Sequence, residues 1–288
     1  MSKRIGRIDL HMHSTVSDGT DTPQALPELV RAAGITVFSV TDHDAVKACR
    51  IIRDVCTPDD PAFIPGVEFS CKDAHGKYHI LGYGFDLDAP AVNGLVSRGH
   101  SLRVEKARAR LEYLQAEFGF SFPEQEVERL LALDNPGKPH IANLMIRCGY
   151  AGSIGEAISD YINRLRYHGR YIAPQDAVEG ILASGGIPVL AHPWFGSGSE
   201  RIDSGDMQQR LRRLTDYGLK GVEAFYSGFS ASQTQEMLSL SRQFDLYVTA
   251  GSDYHGTNKT VRLGDTGLDD TAEYPEGLKR FLDVCQTR

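Results

Sequence analysis

Six short apolar stretches, spread from residue 8 to residue 255, each carry or run into a histidine or a carboxylate. Ile8-Asp9-Leu10 leads into His11-Met12-His13, and residues 37–41 lead into Asp42-His43-Asp44. Residues 63–69 contain Glu68, residues 78–84 contain His79, residues 187–191 end at His192, and residues 246–250 lead to Asp253-Tyr254-His255. One polar residue at the end of a β-rich run is ordinary. Six of them constrain the fold, because the carboxyl-side ends of strands in a parallel α/β structure meet on one face, where sites are assembled from several strands. In the first stretch His11 and His13 are two residues apart, so on an extended backbone they share a face. Asp18-Gly19 ends the small-residue loop that follows.

Helical patterns separate these strands. Thr22-Pro23 reads as an N-cap and first-turn proline of a helix that stops at Gly34, with Pro27 either distorting the first turn or delaying the regular helix. A second helix covers residues 45–55. Alternation of strand and helix in units of this size indicates a mainly parallel sheet with covering helices. From 97 to 166 the rhythm changes to four helical patterns (residues 104–118, 123–133, 141–148 and 154–166) with no strand between them. Gly137-Lys138-Pro139-His140 lies inside this region. The β/α rhythm then resumes, with helices at 177–184, 208–217, 230–244 and 276–284. The expected organisation is an α/β barrel built from residues 1–96 and 167–288, carrying residues 97–166 as a helical insertion that serves as a lid or substrate subdomain.

Bulk composition narrows the function classes. The chain has 288 residues, 41% hydrophobic and 24% charged, enough for one large α/β domain or two ordinary ones and without the bias of long disorder. Its formal net charge of -7 argues against tracking long duplex nucleic acid, although it leaves room for a locally positive pocket. Five cysteines (Cys49, Cys56, Cys71, Cys148 and Cys285) are odd in number and form no C-x-x-C, which reads as free thiols in a reducing compartment. The opening Met1-Ser2-Lys3-Arg4-Ile5-Gly6 has no apolar leader run, and no segment reaches membrane-spanning length, so a soluble cytoplasmic protein is expected.

Taken singly, each polar residue has a plain alternative role. Asp18-Gly19 is a common turn pair, Glu68 could pair with a lysine, His79 and His192 could be satisfied buried imidazoles, and Asp253 could cap a helix. Taken together, neutral imidazoles and carboxylates converging at strand ends suit zinc, manganese or iron(II), and no cysteine joins the pattern to require a thiolate site.

The motifs His11-Met12-His13, Thr41-Asp42-His43, Gly66-Val67-Glu68, Ala191-His192-Pro193 and Gly251-Ser252-Asp253-Tyr254-His255 resemble those of the PHP (polymerase and histidinol phosphatase) family of the amidohydrolase superfamily, almost end to end. The insertion, with Lys138-Pro139-His140 where relatives often show Arg-Pro-His, is similar to the nucleotide-directed branch, which acts on 3',5'-bisphosphate nucleotides and on the 5' ends of short RNAs. The resemblance implies a distorted (β/α)7, TIM-like barrel holding two to three divalent ions (manganese, iron or zinc). By the family pattern His11, His13, Glu68 and Asp253 hold the first ion. Glu68 bridges to a second, completed by His79 and His192, and Asp18, His43 and His255 hold the third. Glu68, Asp253 and His192 are then the candidate catalytic residues.

Three dications among three carboxylates leave a local charge of about +3, a trap for a phosphate dianion. The implied reaction is phosphomonoester hydrolysis by a metal-bridged hydroxide, without a covalent intermediate. Lys138 and His140 are candidates for phosphate contact or leaving-group protonation, followed by Arg170 and Tyr226. The modest number of basic residues favours a small nucleotide or short oligonucleotide over a long polymer. Histidinol-phosphate hydrolysis and a metal-holding module without turnover are the two alternatives.

Overall fold

The computed structural model describes residues 6–197, 200–269 and 273–286, with the side chain of residue 286 excepted. Met1–Ile5, most of the stretch without an apolar leader, lie outside the described residues. Among the described residues eight strands form two sheets. The first sheet pairs β1 (Arg7–Asp9), β2 (Ile35–Phe38) and β3 (Ala62–Phe63), all parallel. The second runs in the order β4 (Gly66–Asp73), β5 (Gly76–Tyr83), β6 (Ile187–Leu190), β7 (Gly221–Tyr226) and β8 (Tyr247–Gly251). Within it β6, β7 and β8 are parallel, whereas β5 is antiparallel to both of its neighbours.

Two sequence expectations change here. Residues 63–69 form not one strand but the end of β3 and the start of β4, separated by Ile64-Pro65, because a proline has no N–H to give to a ladder. The expected alternation also fails at β4 and β5. Only Ala74-His75 separates them, too short for a parallel crossover, so the chain makes a hairpin.

Both edges of one sheet approach the other. The Leu10 N–H donates to the Ala250 carbonyl at 2.9 Å and the His13 N–H to the Tyr254 carbonyl at 2.8 Å, joining the chain beyond β1 to that of β8. On the other side Glu68 N–H donates to Asp42 O and Asp44 N–H to Glu68 O at 2.9 Å, joining the chain beyond β2 to β4. Helices pack outside: α1 (Leu26–Ala32), α2 (Lys47–Val55), and later α7 (Pro174–Ala183), α8 (Ser204–Asp216), α9 (Ala231–Gln243) and α10 (Glu276–Gln286). Helix α1 begins late, with Pro27 in its first turn, where a missing N–H costs nothing. The main core is built from the apolar residues of β4–β8 and their helices, including Val67, Ile80, Val189, Val222 and Val248, all nearly or wholly inaccessible to solvent.

Between β5 and β6 the chain makes α3 (Pro90–Phe118), α4 (Glu124–Leu131), α5 (Lys138–Arg147), the short α6 (Ile154–Glu156) and a π and 3-10 continuation to Arg164. Helix α3 starts at Pro90, well before the expected residue 104, and stops at Gly119 in the left-handed region. It therefore runs through residue 97, with its first turns against α7 and its last over a separate apolar cluster of Ala107, Leu111, Leu114, Ile141, Leu144 and Met145. Among the described residues no helix is long and apolar enough to cross a membrane. Cys49, Cys56, Cys71 and Cys148 are free thiols.

Candidate metal centre

All nine residues expected as ligands come together, from both sheets. Four groups of possible donors, each with its ligand atoms within 4.8 Å of one another, overlap: His13, Asp18, His43 and His255; His11, Glu68 and His192; His11, His13 and Asp253; His43, Glu68 and His79. Glu68 lies at the middle. Its Oε1 is 2.7 Å from His79 Nδ1 and 3.1 Å from His192 Nε2, and its Oε2 is 2.9 Å from His43 Nδ1 and 3.4 Å from His13 Nε2. Asp18 is turned into the cluster, with Oδ1 3.2 Å from His255 Nε2 and Oδ2 3.9 Å from His43 Nε2. The groups share members, so His13 and His43 each stand between two of them instead of belonging to one.

The strand-end rule does not place every member. His11, His13, His43, His192, Asp253 and His255 follow the ends of parallel strands. Glu68 is the third residue of β4, and His79 the fourth of the antiparallel β5, so neither sits at a carboxyl-side end. They meet because Glu68 pairs with Leu81 and Ser70 with His79, which puts both side chains on one face as diagonal neighbours.

Local backbone is spent on this arrangement. His192 (φ 25°) and Asp253 (φ 60°) occupy the left-handed region without being glycine. Such conformations cost about 1–3 kcal/mol each and persist where the surroundings over-determine them. Here the His192 N–H donates to Glu223 Oε2 at 2.7 Å, and the Asp253 N–H to the His11 carbonyl at 2.8 Å. Gly251 makes the seam possible. A Cβ there would lie 2.2 Å from His11 Cβ and 2.4 Å from Glu223 Oε1.

A set of buried acids that was not among the expected ligands orients those ligands. Glu223, fully buried on β7, also places Oε1 3.0 Å from His11 Nδ1. Asp9 accepts from the backbone of His11, Ser252 and Gly264 and from the Ser252 hydroxyl. Asp42 accepts from both Ser14 groups and from the Ser17 hydroxyl. Lys259 Nζ and the Tyr226 hydroxyl both donate to Asp253 Oδ2, at 2.6 and 2.9 Å.

Electrostatics favours the ligand forms of the carboxylates. Burial alone would push Glu68, Asp18 and Asp253 up, but the imidazoles around them, and Lys259 for Asp253, hold all three well below the usual carboxylate range. Burial lowers His13, with His255 beside it, and lowers His79 to about 4, keeping both neutral. His11 and His255 are the exceptions: burial is outweighed in His11 by Glu223, Glu68 and Asp253 and in His255 by Asp18, and both are raised. The chemistry of the donor set fits divalent ions. Among the described residues His11 Nε2, His13 Nε2, Asp18 Oδ1, His43 Nδ1 and Glu68 Oε2 are buried and make no well-directed hydrogen bond, although they crowd within 4 Å of one another's rings and carboxylates, an arrangement that is costly unless a cation satisfies them.

The expected substrate contacts divide. Tyr226 borders the cluster, its ring 5.5 Å from that of His192, and burial with Asp253 alongside raises its pKa, so the phenol stays protonated. His140 occupies the first turn of α5, where Nδ1 accepts from Gly137 N–H at 2.9 Å and burial lowers its pKa. A Cβ on Gly137 would be 3.7 Å from Asp18 Cβ, which brings this turn beside the cluster. Lys138 Nζ donates to Asn163 at 2.7 Å. Arg170 is 79% exposed and paired with Glu105 of α3, at a surface cleft of about 400 Å³, and does not join the cluster.

No family model matches the chain. It is 30% identical over 260 residues to a phosphoribosyl 1,2-cyclic phosphate 1,2-diphosphodiesterase of Eggerthella lenta, covering 86% of this chain and 94% of the relative. It is 27% identical over 266 residues to the 5'-3' exoribonuclease Rnm of Salmonella typhimurium, covering 89% and 87%. It is also 26% identical over 268 residues to a 3',5'-nucleoside bisphosphate phosphatase of Chromobacterium violaceum, covering 90% of each. Among solved structures, a Bifidobacterium adolescentis protein assigned as a metal-dependent phosphoesterase shares the fold at a TM-score of 0.82 and 23% identity, over 96% of this chain and 95% of that one.

Proposed function

The chain belongs to the PHP family of metal-dependent phosphoesterases, and on that premise we propose that it hydrolyses phosphate esters of nucleotides or short 5'-phosphorylated oligonucleotides. The observation that carries the reading is the set of buried, unpartnered donor atoms converging around Glu68. The proposal includes a distorted barrel formed by the two sheets, supported by the hydrogen bonds at both seams, and residues 97–166 as the substrate-side subdomain. It also includes a reducing, cytoplasmic setting, supported by free thiols such as Cys49 and Cys148.

His11, His13, Glu68 and Asp253 would hold one divalent ion, Glu68, His79 and His192 a second, and Asp18, His43 and His255 a third, with manganese, iron(II) and zinc all suited to the donors. When bound, such ions supply a water acidified towards neutral pH and Lewis acidity at the phosphoryl oxygens. The chain's own residues do the rest. Glu68, anionic and central, fixes the spacing of the sites. Asp253 Oδ2 is occupied by Lys259 and Tyr226, so Oδ1 faces His11 and His13 and is the proton acceptor for the attacking water. His192, locked by Glu223, keeps an imidazole at the phosphate. The proton needed by the departing oxygen comes from the insertion side, where the helix turn that carries His140 lies beside Asp18.

The test is a substrate screen with manganese supplied: nucleoside 5'-monophosphates, 3',5'-bisphosphates, short 5'-phosphorylated RNAs and histidinol phosphate. Phosphate release from the nucleotides at kcat/KM at least tenfold above that for histidinol phosphate is expected. Preference for histidinol phosphate overturns the substrate class. No release from any ester with metal bound overturns the enzyme reading.

A further inference from the structure

A metal-ligating histidine is normally aimed by a hydrogen bond on the ring nitrogen that does not face the ion. His11, His13 and His255 each have a ring nitrogen so engaged, by Glu223, Ser17 and the Asp253 carbonyl. His43 does not. Among the described residues its ring makes no well-directed hydrogen bond, although Nδ1 is buried 2.9 Å from Glu68 Oε2. Its aim is therefore set by its backbone, which the acids on either side hold. Asp42 accepts from both Ser14 groups and from the Ser17 hydroxyl, in the loop after β1. Asp44 is 2% exposed and occupies the left-handed region at φ 48°. Its N–H donates to the Glu68 carbonyl at 2.9 Å, and its Oδ1 accepts from the Ser70 N–H at 3.1 Å.

The rest of the hold on Asp44 comes from the insertion. Arg103 Nε of α3 binds Asp44 Oδ2, and the same guanidinium donates to the Ser70 hydroxyl at 2.6 Å, so one side chain clamps both halves of the contact. Without that cation the Asp44 carboxylate would be a buried, uncompensated charge next to the ligand. Gly99, one helical turn before Arg103, lets α3 come this close: a Cβ there would lie 2.7 Å from Asp44 Cβ. The next residue, His100, meets the Asp134 carbonyl at 2.7 Å, while the Asp134 carboxylate accepts from Lys47 of α2 at 2.6 Å. That contact docks the same stretch of α3 without involving Asp44.

We propose that Arg103 is a positioning residue: acting through Asp44, it sets the place of His43 and makes the hold on the third ion depend on the docking of the insertion. This rests on the metal-dependent reading above and gives the insertion a task at the centre that is separate from any contact with substrate. Such a coupling is reciprocal, so the ion in turn strengthens the docking of α3. Asp42 is held from within the barrel side alone, so of the two acids beside His43 only Asp44 carries this link.

The test counts ions by elemental analysis after manganese loading and desalting, and titrates the weakest of them, in wild type, Arg103→Met, Arg103→Lys, His43→Ala and His100→Ala, each checked for folding by circular dichroism. Arg103→Met should hold one ion fewer than the wild type, or bind the weakest at least about tenfold less tightly. Adding His43→Ala to it should release no further ion, because both changes act on the same one. Arg103→Lys should recover part of the affinity, and His100→Ala should match the wild type. A smaller effect of Arg103→Met overturns the proposal, as does a double variant that loses a second ion. A loss in His100→Ala equal to that in Arg103→Met also overturns it, since general docking would then be the cause. A wild type holding two ions overturns the three-ion reading alone, and the same differences between variants still decide the coupling. If the wild type binds no manganese, the metal reading fails, and the His43 ring signal by NMR decides the positioning: it should move in Arg103→Met and stay in His100→Ala. Should Arg103→Met not fold, Asp44→Asn, which keeps an acceptor for Ser70 and removes the charge that Arg103 engages, carries the decision by the same tenfold threshold.

Discussion

Glu223 stands in none of the family motifs, yet one of its oxygens orients His11 and the other holds the strained backbone of His192. A carboxylate behind a metal-ligating histidine fixes its tautomer and raises its basicity, and losing one typically costs 10–100-fold in metal affinity. Glu223→Gln, which keeps shape and removes charge, should weaken binding of the tightest ion by about that factor in a metal titration. Unchanged affinity would reduce Glu223 to a packing residue. The opposite kind of residue is Lys106, whose charge is a burden to the free protein. Its folded pKa of about 6 lies below the ordinary lysine value of 10.5, so between these limits the unfolded chain binds a proton that the folded one does not. Stability contributed by this group therefore rises with pH from about 6 towards 10.5 and is lost on the acid side. Lys106→Met should raise the melting temperature of the ligand-free protein at pH 7 by at least about 2 °C, and flatten its increase between pH 6 and 9. A lower melting temperature would mean that the lysine stem packs more than its charge repels.

At the level of elements, helix α5 does two things with one residue. His140 Nδ1 accepts from Gly137 N–H and so closes the helix start, while the same turn lies against Asp18. Substitution by Ala removes both roles, but Asn can restore a cap while lacking a group that titrates near neutral pH. His140→Ala should lose about 1 kcal/mol of stability and about 100-fold in kcat; His140→Asn should recover the stability and not the rate. Equal rates in the two variants and the wild type would remove His140 from the chemistry. This turn was legible as Lys138-Pro139-His140, and so were the imidazoles after β1, β2, β6 and β8, because a polar residue ending an apolar run departs from the strand pattern. Glu68 and His79 were found as residues carried on strands, but the antiparallel pairing that brings them together was not, since nothing in their apolar surroundings reveals that β4 and β5 form a hairpin except the brevity of Ala74-His75. The orienting roles of Glu223, Asp9 and Asp42 were not legible, because most of what they hold, such as His11 for Glu223 and Ser252 for Asp9, is far away in the chain. Arg110 sits among other charges on a long helix, and nothing around it in the sequence marks it as buried.

For the whole molecule, ligands drawn from residue 11 to residue 255 and from both sheets mean that ions at the centre cross-link both seams at once. An ion that binds only the folded state adds about 4 kcal/mol at a thousandfold excess over its Kd, and each kcal/mol is worth roughly 2–4 °C in a domain of this size. Metal-loaded protein should therefore melt at least about 8 °C above chelated protein at pH 7.5. Acid should remove that increment before it unfolds the chelated chain. His79 is neutral in the fold down to about pH 4 but takes a proton at 6.5 when unfolded, so its stabilising contribution is lost as pH falls through that window. Glu68, Asp18 and Asp253, with depressed pKa values, keep theirs until the ordinary carboxylate range is passed and lose it only below. Imidazole ligands must be deprotonated to bind, so the metal-derived part of the melting temperature should vanish between about pH 7 and 5, while the chelated protein declines more gradually. Asp18 separates the two stoichiometries. Its carboxylate joins His13, His43 and His255 but lies outside the groups built on Glu68, so Asp18→Ala should release one ion of three and leave the other two in place. Elemental analysis after desalting counts them, and a variant that still holds three would assign the third ion to other ligands.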